Sequence, residues 1–321
     1  MQDSYSTSTQ PSEPHCFRSE PPFHFSKKYA MEYRCDVAVT NGDGSGIGNV
    51  IAYTRLIEEL SLKMGRRIKL LTAPMRPKVG VVDEERPYPV WENNPFIDSI
   101  LNADEIDPQI IRLINQEKTN HCQFNHVIEN ICFDYGVRPR SLRPSLFLSS
   151  AEQAWALDQI AHIKRPVVCL HRGGTTSCRT DSGWSFVNWQ QLLQACKHRC
   201  GFFEIGLIEQ DTRSLGIFSK KTHVRQMMGL IWASDLFIGF DSAPMHVAAA
   251  FEKPSIILWD AIRKLEAEER CQRGFAPAVI LRWGYPQHRN VMILGDRNDE
   301  TLRVVIDYIL QTCRSLYYEL E

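Results

Sequence analysis

The run Asp241-Ser242-Ala243-Pro244-Met245-His246 gathers residue types that hold an anion at a helix start. It follows Leu236 to Gly239, which reads as a strand, and leads into an alanine-rich stretch ending at Phe251. An aspartate after a strand, with proline in the next turn, is the pattern of an N-capped helix, and Asp241 is the expected cap. The backbone N–H groups of 242–245 point outward from such a helix start, and with the helix dipole they favour a phosphate. His246 lies on the same turn and can donate a hydrogen bond to that anion. A well-capped helix with an internally satisfied histidine explains the segment equally well.

A second phosphate-facing element is His171-Arg172-Gly173-Gly174-Thr175-Thr176-Ser177, after the apolar Pro166 to Leu170. Small and hydroxyl residues after a strand let backbone and side-chain donors approach a pyrophosphate. Arg172 or Arg179 supplies the neutralising charge. A third element, Asn41 to Asn49, has four glycines between 42 and 48. It fails the G-x-G-x-x-G register at Ile47 or at Asn49 and lacks a P-loop lysine, so it is neither phosphate fingerprint. As a residue beside glycine, Asp43 also reads as an ordinary turn aspartate.

The elements around these loops alternate. Tyr33 to Thr40 reads as a strand, Asn49 to Met64 as a helix stopped by Gly65, and Ile68 to Thr72 as a strand. Asp98 to Leu101 is short and apolar, and Cys122 to Tyr135 reads as a helix ending at Gly136. The arginine- and proline-rich stretch 137–149 reads as a link, after which Ser150 with Gln153 suggests a capping box. A second series follows: strand Pro166 to Leu170, helix Asn188 to Cys200, strand Phe202 to Ile205, helix Val224 to Ala233, strand Leu236 to Gly239, the Asp241 helix and strand Ser255 to Leu258. The expected fold is α/β with two Rossmann-like, doubly wound domains facing a central cleft. Residues 1–30 read as a disordered tail, 31–160 as the first Rossmann-like domain and 161–321 as the second, with the last helix free to pack back on the first.

Bulk properties narrow the function. The chain has 321 residues, 43% hydrophobic and 23% charged, with 37 basic against 38 acidic side chains and net charge −1. That balance gives no long-range field for polyanions, so nucleic acid is not an expected partner. The ten cysteines form no C-x-x-C pair and read as reduced thiols of a cytoplasmic protein. No apolar run reaches the roughly 18–20 residues of a membrane span, although peripheral membrane contact stays open. The Ser-, Thr- and Pro-rich start lacks the apolar core of a signal peptide, and Met31 directly precedes the first strand.

The 241–254 segment resembles the D-S/T-G-x-x-H-x-x-A-A-x-x-x-P signature of glycosyltransferase family 9, the ADP-heptose:lipopolysaccharide heptosyltransferases and their relatives, with Ala243 at the glycine position. Val90 to Asp104, Pro144 to Ser149 and the pair Trp184 and Trp189 are similar, in the same order, to further family segments. The resemblance implies a GT-B fold and a metal-independent, inverting transfer of a heptose-like sugar from a nucleotide-diphosphate sugar. The acceptor hydroxyl would belong to a glycan, a lipid-linked molecule or a small metabolite, and no cofactor is implied. No D-x-D motif is present. The family's nucleotide-sugar lysine corresponds to Ser182, which leaves Arg179 as its substitute, and its ribose carboxylate corresponds to Glu209. The family's catalytic aspartate corresponds to Asn49, which cannot accept a proton. Asp43 in the same loop then serves as base, or the mechanism differs, or the chain is catalytically impaired. An epimerase or hydrolase on the same fold, and a non-catalytic sugar-nucleotide-binding protein, are the rival readings.

Overall fold

The computed structural model describes residues 35–39, 46–75, 85–107, 126–173, 184–206, 214–260, 276–293 and 298–318. The expected tail, Asp43, Gly174, Thr175, Thr176, Arg179, Ser182 and Glu209 lie outside these residues.

Two parallel sheets organise the chain. The first has the order β1-β2-β3, with β1 at Val37–Val39, β2 at Ile68–Thr72 and β3 at Ile97–Asn102. Helix α1 (Ile47–Met64) crosses from β1 to β2. Gly65 closes it with φ 65°, a left-handed conformation that suits glycine, and donates its N–H to the Ser61 carbonyl. Helix α2 (Val127–Asp134) packs on α1 and ends before Gly136, also left-handed. Helix α3 (Ser150–Ile160) begins one residue earlier in its capping pattern than the sequence suggested. Its box is Ser149 with Glu152, because Ser149 is the last residue with extended backbone.

The second sheet has six parallel strands in the order β6-β5-β4-β7-β8-β9. They are β4 Val167–His171, β5 Gly201–Gly206, β6 Phe218–Lys221, β7 Leu236–Phe240, β8 Ser255–Asp260 and β9 Arg289–Ile293. Helices α4 (Phe186–Cys196), α5 (Val224–Ala233), α6 (Ala243–Ala250), α7 (Ala276–Trp283) and α8 (Asn298–Tyr318) complete the alternation. Alternate strand residues feed opposite faces. Val168 and Leu170 pack with Trp184, Trp189 and Leu192 of the α4 side and with Val305 and Ile309 of α8. The described packing of α8 is thus with α4 and β9. Val167 and Cys169 point the other way, into a core shared with α3, α5 and α6. That core continues through Val50, Ile51 and Leu56 of α1 to Val37 and Leu70 of the first sheet. Each fully buried aliphatic side chain there contributes about 1.5–3 kcal/mol of transfer free energy.

A buried ionic strap crosses the junction. Arg225 on α5, with 3% of its side chain exposed, forks onto Glu152 of α3 at 2.8 and 2.6 Å. It also donates to the carbonyls of Pro89 (3.0 Å) and Phe147 (2.8 Å). Arg86 joins Glu152 at 2.8 Å and also pairs with Glu92. Burial pushes the Glu152 carboxyl up, but Arg225, the Ser149 amide and Arg86 outweigh it and hold it at about 2.

Candidate functional site

The order of the second sheet reverses direction between β4 and β7, which lie side by side. In open α/β sheets this switch point leaves a crevice beyond the carboxyl ends of the strands. His171 and Gly239 are register partners there, so the 171–173 segment and the 241–246 turn leave adjacent strands on the same side. The two elements share one crevice edge.

Their contact is specific. Ser242 Oγ donates to the Phe240 carbonyl at 3.1 Å and lies 3.2 Å from His171 Nδ1. A hydroxyl has one hydrogen, so the imidazole donates Nδ1–H to Oγ and carries its lone pair on Nε2. That Nε2 is buried and has no hydrogen-bond partner among the described residues. Burial holds the His171 imidazolium down to about 4, so the ring is neutral near pH 7.

The helix cap differs from expectation. Helix α6 starts at Ala243, its N-cap is Ser242 in extended conformation, and the Ser242 side chain makes no capping hydrogen bond. Asp241 lies one residue further out, half-buried, and the Ser242 hydroxyl is engaged by β4 and β7 instead. The first-turn amides therefore receive no capping bond from Ser242. Pro244 occupies the first turn as the sequence indicated, and Met245 and His246 are buried beneath it.

Arg172 is also placed differently from the charge envisaged for a pyrophosphate. Its guanidinium forks onto Glu204 of β5, with Nε–Oε1 at 2.6 Å and an Nη to Oε2 at 3.0 Å, and lies 5.8 Å over the Phe186 ring. A carboxylate in bidentate contact neutralises most of that charge locally. Gly173 follows, half-buried, at the rim of the described segment.

The start of α1, which follows β1 of the first sheet, also reaches this region. Helix α1 starts at Ile47 after Gly46, with Asn49 half-buried in its first turn. Gly48 faces α6 so closely that a Cβ there would stand 2.7 Å from His246 Cδ2 and 2.9 Å from Nε2. The starts of α1 and α6 thus converge, and both amide-bearing ends bias the space between them toward negative charge. The sequence had marked Asn49 and His246 separately; the fold brings their helix starts together.

Sequence reasoning missed the aromatic surround of His246. Tyr285, fully buried, places its hydroxyl 2.6 Å from His246 Nδ1. His126 and His288 pack against the Tyr285 ring at 5.0 and 5.4 Å between centroids. His126 caps α2, accepting the Ile128 N–H on Nδ1 at 3.2 Å. Burial, and secondarily repulsion from His246, lowers His126 to about 4 and His288 to about 3, and burial lowers His246 to about 4. A Gly-Tyr-Pro turn carries no periodic signal, so only the fold reveals this cluster.

Among the described residues no group of three or more His, Cys, Asp or Glu side chains could hold a metal, and no described helix is long and apolar enough to cross a membrane.

Comparison with known proteins gives the same placement. The structure aligns with E. coli ADP-heptose lipopolysaccharide heptosyltransferase II at TM-score 0.58 and 14% identity, covering 87% of this chain and 99% of that one. A family 9 glycosyl transferase from Veillonella parvula aligns at TM-score 0.56 and 12% identity, covering 85% and 96%. E. coli heptosyltransferase WaaC with ADP aligns at TM-score 0.52 and 10% identity, covering 86% and 100%. No curated protein sequence matches the chain significantly. The fold is GT-B, with two Rossmann-like parallel sheets meeting at a cleft. Within that class, the model of glycosyltransferase family 9 (heptosyltransferase) matches residues 209–267, which include the α6 turn.

Proposed function

We propose that this chain transfers a sugar from a nucleotide-diphosphate donor to an acceptor hydroxyl, with inversion and without a resident metal or cofactor. One observation carries the reading: the start of α6, which the Ser242 side chain does not cap, and the end of β4 meet at the sheet's switch point, with the start of α1 against His246. That is a crevice suited to a diphosphate, supported by the family 9 match over the same turn. The diphosphate sits between the 171–177 stretch and the 241–246 turn, and fixed amide dipoles stabilise the charge that develops as it leaves. With Arg172 engaged by Glu204, Arg179 is the cation assigned to the pyrophosphate, and Glu209 receives the ribose hydroxyls. Asp43 is the base that takes the acceptor proton. The sugar is heptose-like, the acceptor a glycan, lipid-linked or small-molecule hydroxyl, and the setting cytoplasmic.

Asn49, in the first turn of α1, favours a second reading in which the crevice binds a sugar nucleotide without catalysis. Calorimetry with ADP- and GDP-sugars, followed by product analysis with and without an acceptor, separates the readings. Acceptor-dependent sugar transfer supports the transferase. Binding without turnover supports the second reading, free sugar without acceptor points to hydrolysis, and an altered sugar nucleotide to epimerisation. No binding of any sugar nucleotide rejects all of these.

A further inference from the structure

We propose that Tyr285 is a positioning residue: its phenol hydrogen bonds His246 Nδ1 and locks the imidazole in the Nε2–H tautomer, aiming a donor at the start of α1. The hydroxyl and Nδ1 are 2.6 Å apart, and both residues are buried. Among the described residues, His246 Nδ1 is the hydroxyl's hydrogen-bond partner. If Nδ1–H donated instead, the phenol hydrogen would need a second acceptor in a buried site, and a buried donor without one is destabilising. Donation by the phenol satisfies both groups and places the ring proton on Nε2.

The surroundings keep that arrangement fixed. Burial, with a further contribution from the Asp241 carboxylate, pushes the Tyr285 phenol well above its ordinary range, so it stays protonated. His126 and His288 flank the phenol ring, and Trp283 meets the His246 ring edge-on at 6.1 Å. The Cδ2–Nε2 edge of His246 faces Gly48, where α1 begins. Resting on the transferase reading, the Nε2–H donor serves oxygen atoms of the donor substrate in the space between α1 and α6, alongside the α6 amides. Tyr285 touches no substrate; it acts through His246.

The test uses the full chain with 15N-labelled histidine and long-range proton–nitrogen correlation near neutral pH, with His246 assigned by the signals lost in His246→Asn. The wild-type spectrum is expected to show His246 protonated on Nε2, its unprotonated Nδ1 shielded by a hydrogen bond. In Tyr285→Phe the Nδ1 resonance moves downfield, toward that of an unbonded imidazole nitrogen. A wild-type proton on Nδ1 overturns the proposal even where the variant fails to fold, and so does an Nδ1 resonance unmoved in a folded variant. This arm needs no substrate, so its failure is distinguishable from failure of the transferase reading. In the kinetic arm Tyr285→Phe lowers kcat about tenfold or more, with the donor KM little changed, as expected for an interaction made in the transition state. An unchanged kcat removes the positioning role.

Discussion

The imidazole edge of His246 lies where any Cβ at position 48 would have to go. Because Nδ1 is tied to Tyr285, the ring cannot simply swing aside. Gly48→Ala therefore pushes the start of α1 away from α6. Overpacking of this kind costs about 1–3 kcal/mol. Urea denaturation is expected to show that loss, and calorimetry a weaker grip on a sugar nucleotide. A variant as stable as the wild type, with unchanged binding, contradicts the contact.

Ser242→Ala removes the acceptor of the His171 Nδ1–H. The orphaned buried donor is expected to lower stability by about 1–3 kcal/mol. Ser242→Thr retains the hydroxyl and should recover part of it. Denaturation midpoints of the two variants provide the comparison.

Arg225→Met strips Glu152 of its bidentate partner and leaves two carbonyls without their donor. Breaking a buried pair on one side costs about 3–5 kcal/mol. Arg165→Met acts on the pair with Asp235, where the arginine side chain is 51% exposed, and should cost about 0–1 kcal/mol. Thermal unfolding of the two variants under one buffer tests the contrast.

Acid should weaken the fold before its carboxylates protonate. His126, His171 and His246 are held at about 4 and His288 at about 3, against 6.5 for a free imidazole. Between those values the unfolded chain binds protons that the folded chain refuses, so stability rises with pH. The contribution is complete above about pH 6.5 and is lost as pH falls toward about 4, with His288 extending it to about 3. Glu152 loses its contribution in a lower window, from 4.5 toward about 2. His288→Phe is expected to flatten the slope between about pH 6.5 and 3. A slope identical to that of the wild type would show that His288 is not held neutral.

Asp43→Asn is expected to cut turnover by about a hundredfold or more while leaving donor affinity unchanged, the pattern of a lost general base. Steady-state kinetics beside calorimetry reads both. Unchanged turnover rejects Asp43 and turns attention to Asn49.

Local chemistry made much of this legible. The Ile68–Thr72 strand and the Val224–Ala233 helix match the sequence reading residue for residue, because apolar patterning is a short-range signal. The GT-B fold followed from the alternation of strands and helices together with the family signature. The shift of the α6 cap from Asp241 to Ser242 was not legible, since it depends on the Ser242 hydroxyl turning to His171, a residue 71 positions away. Arg172 read as an available cation because nothing near it in sequence announces Glu204, 32 positions on. Strands β6 and β9 and helix α7 went unassigned, and the last helix was given no bounds, although it fills one face of the second sheet through Leu302, Val305 and Ile309. Tyr285 and Arg225 belong to the same class: partners that only tertiary folding brings together.

The apolar interior that runs from Val37 and Ile51 to Phe237 and Trp259 passes beneath the crevice without a break. Its two walls are therefore not independent bodies joined by a tether. A wide gape between α1 and α6 would wet the very side chains that hold the halves together, so a small slide along this greasy seam costs less than a hinge opening.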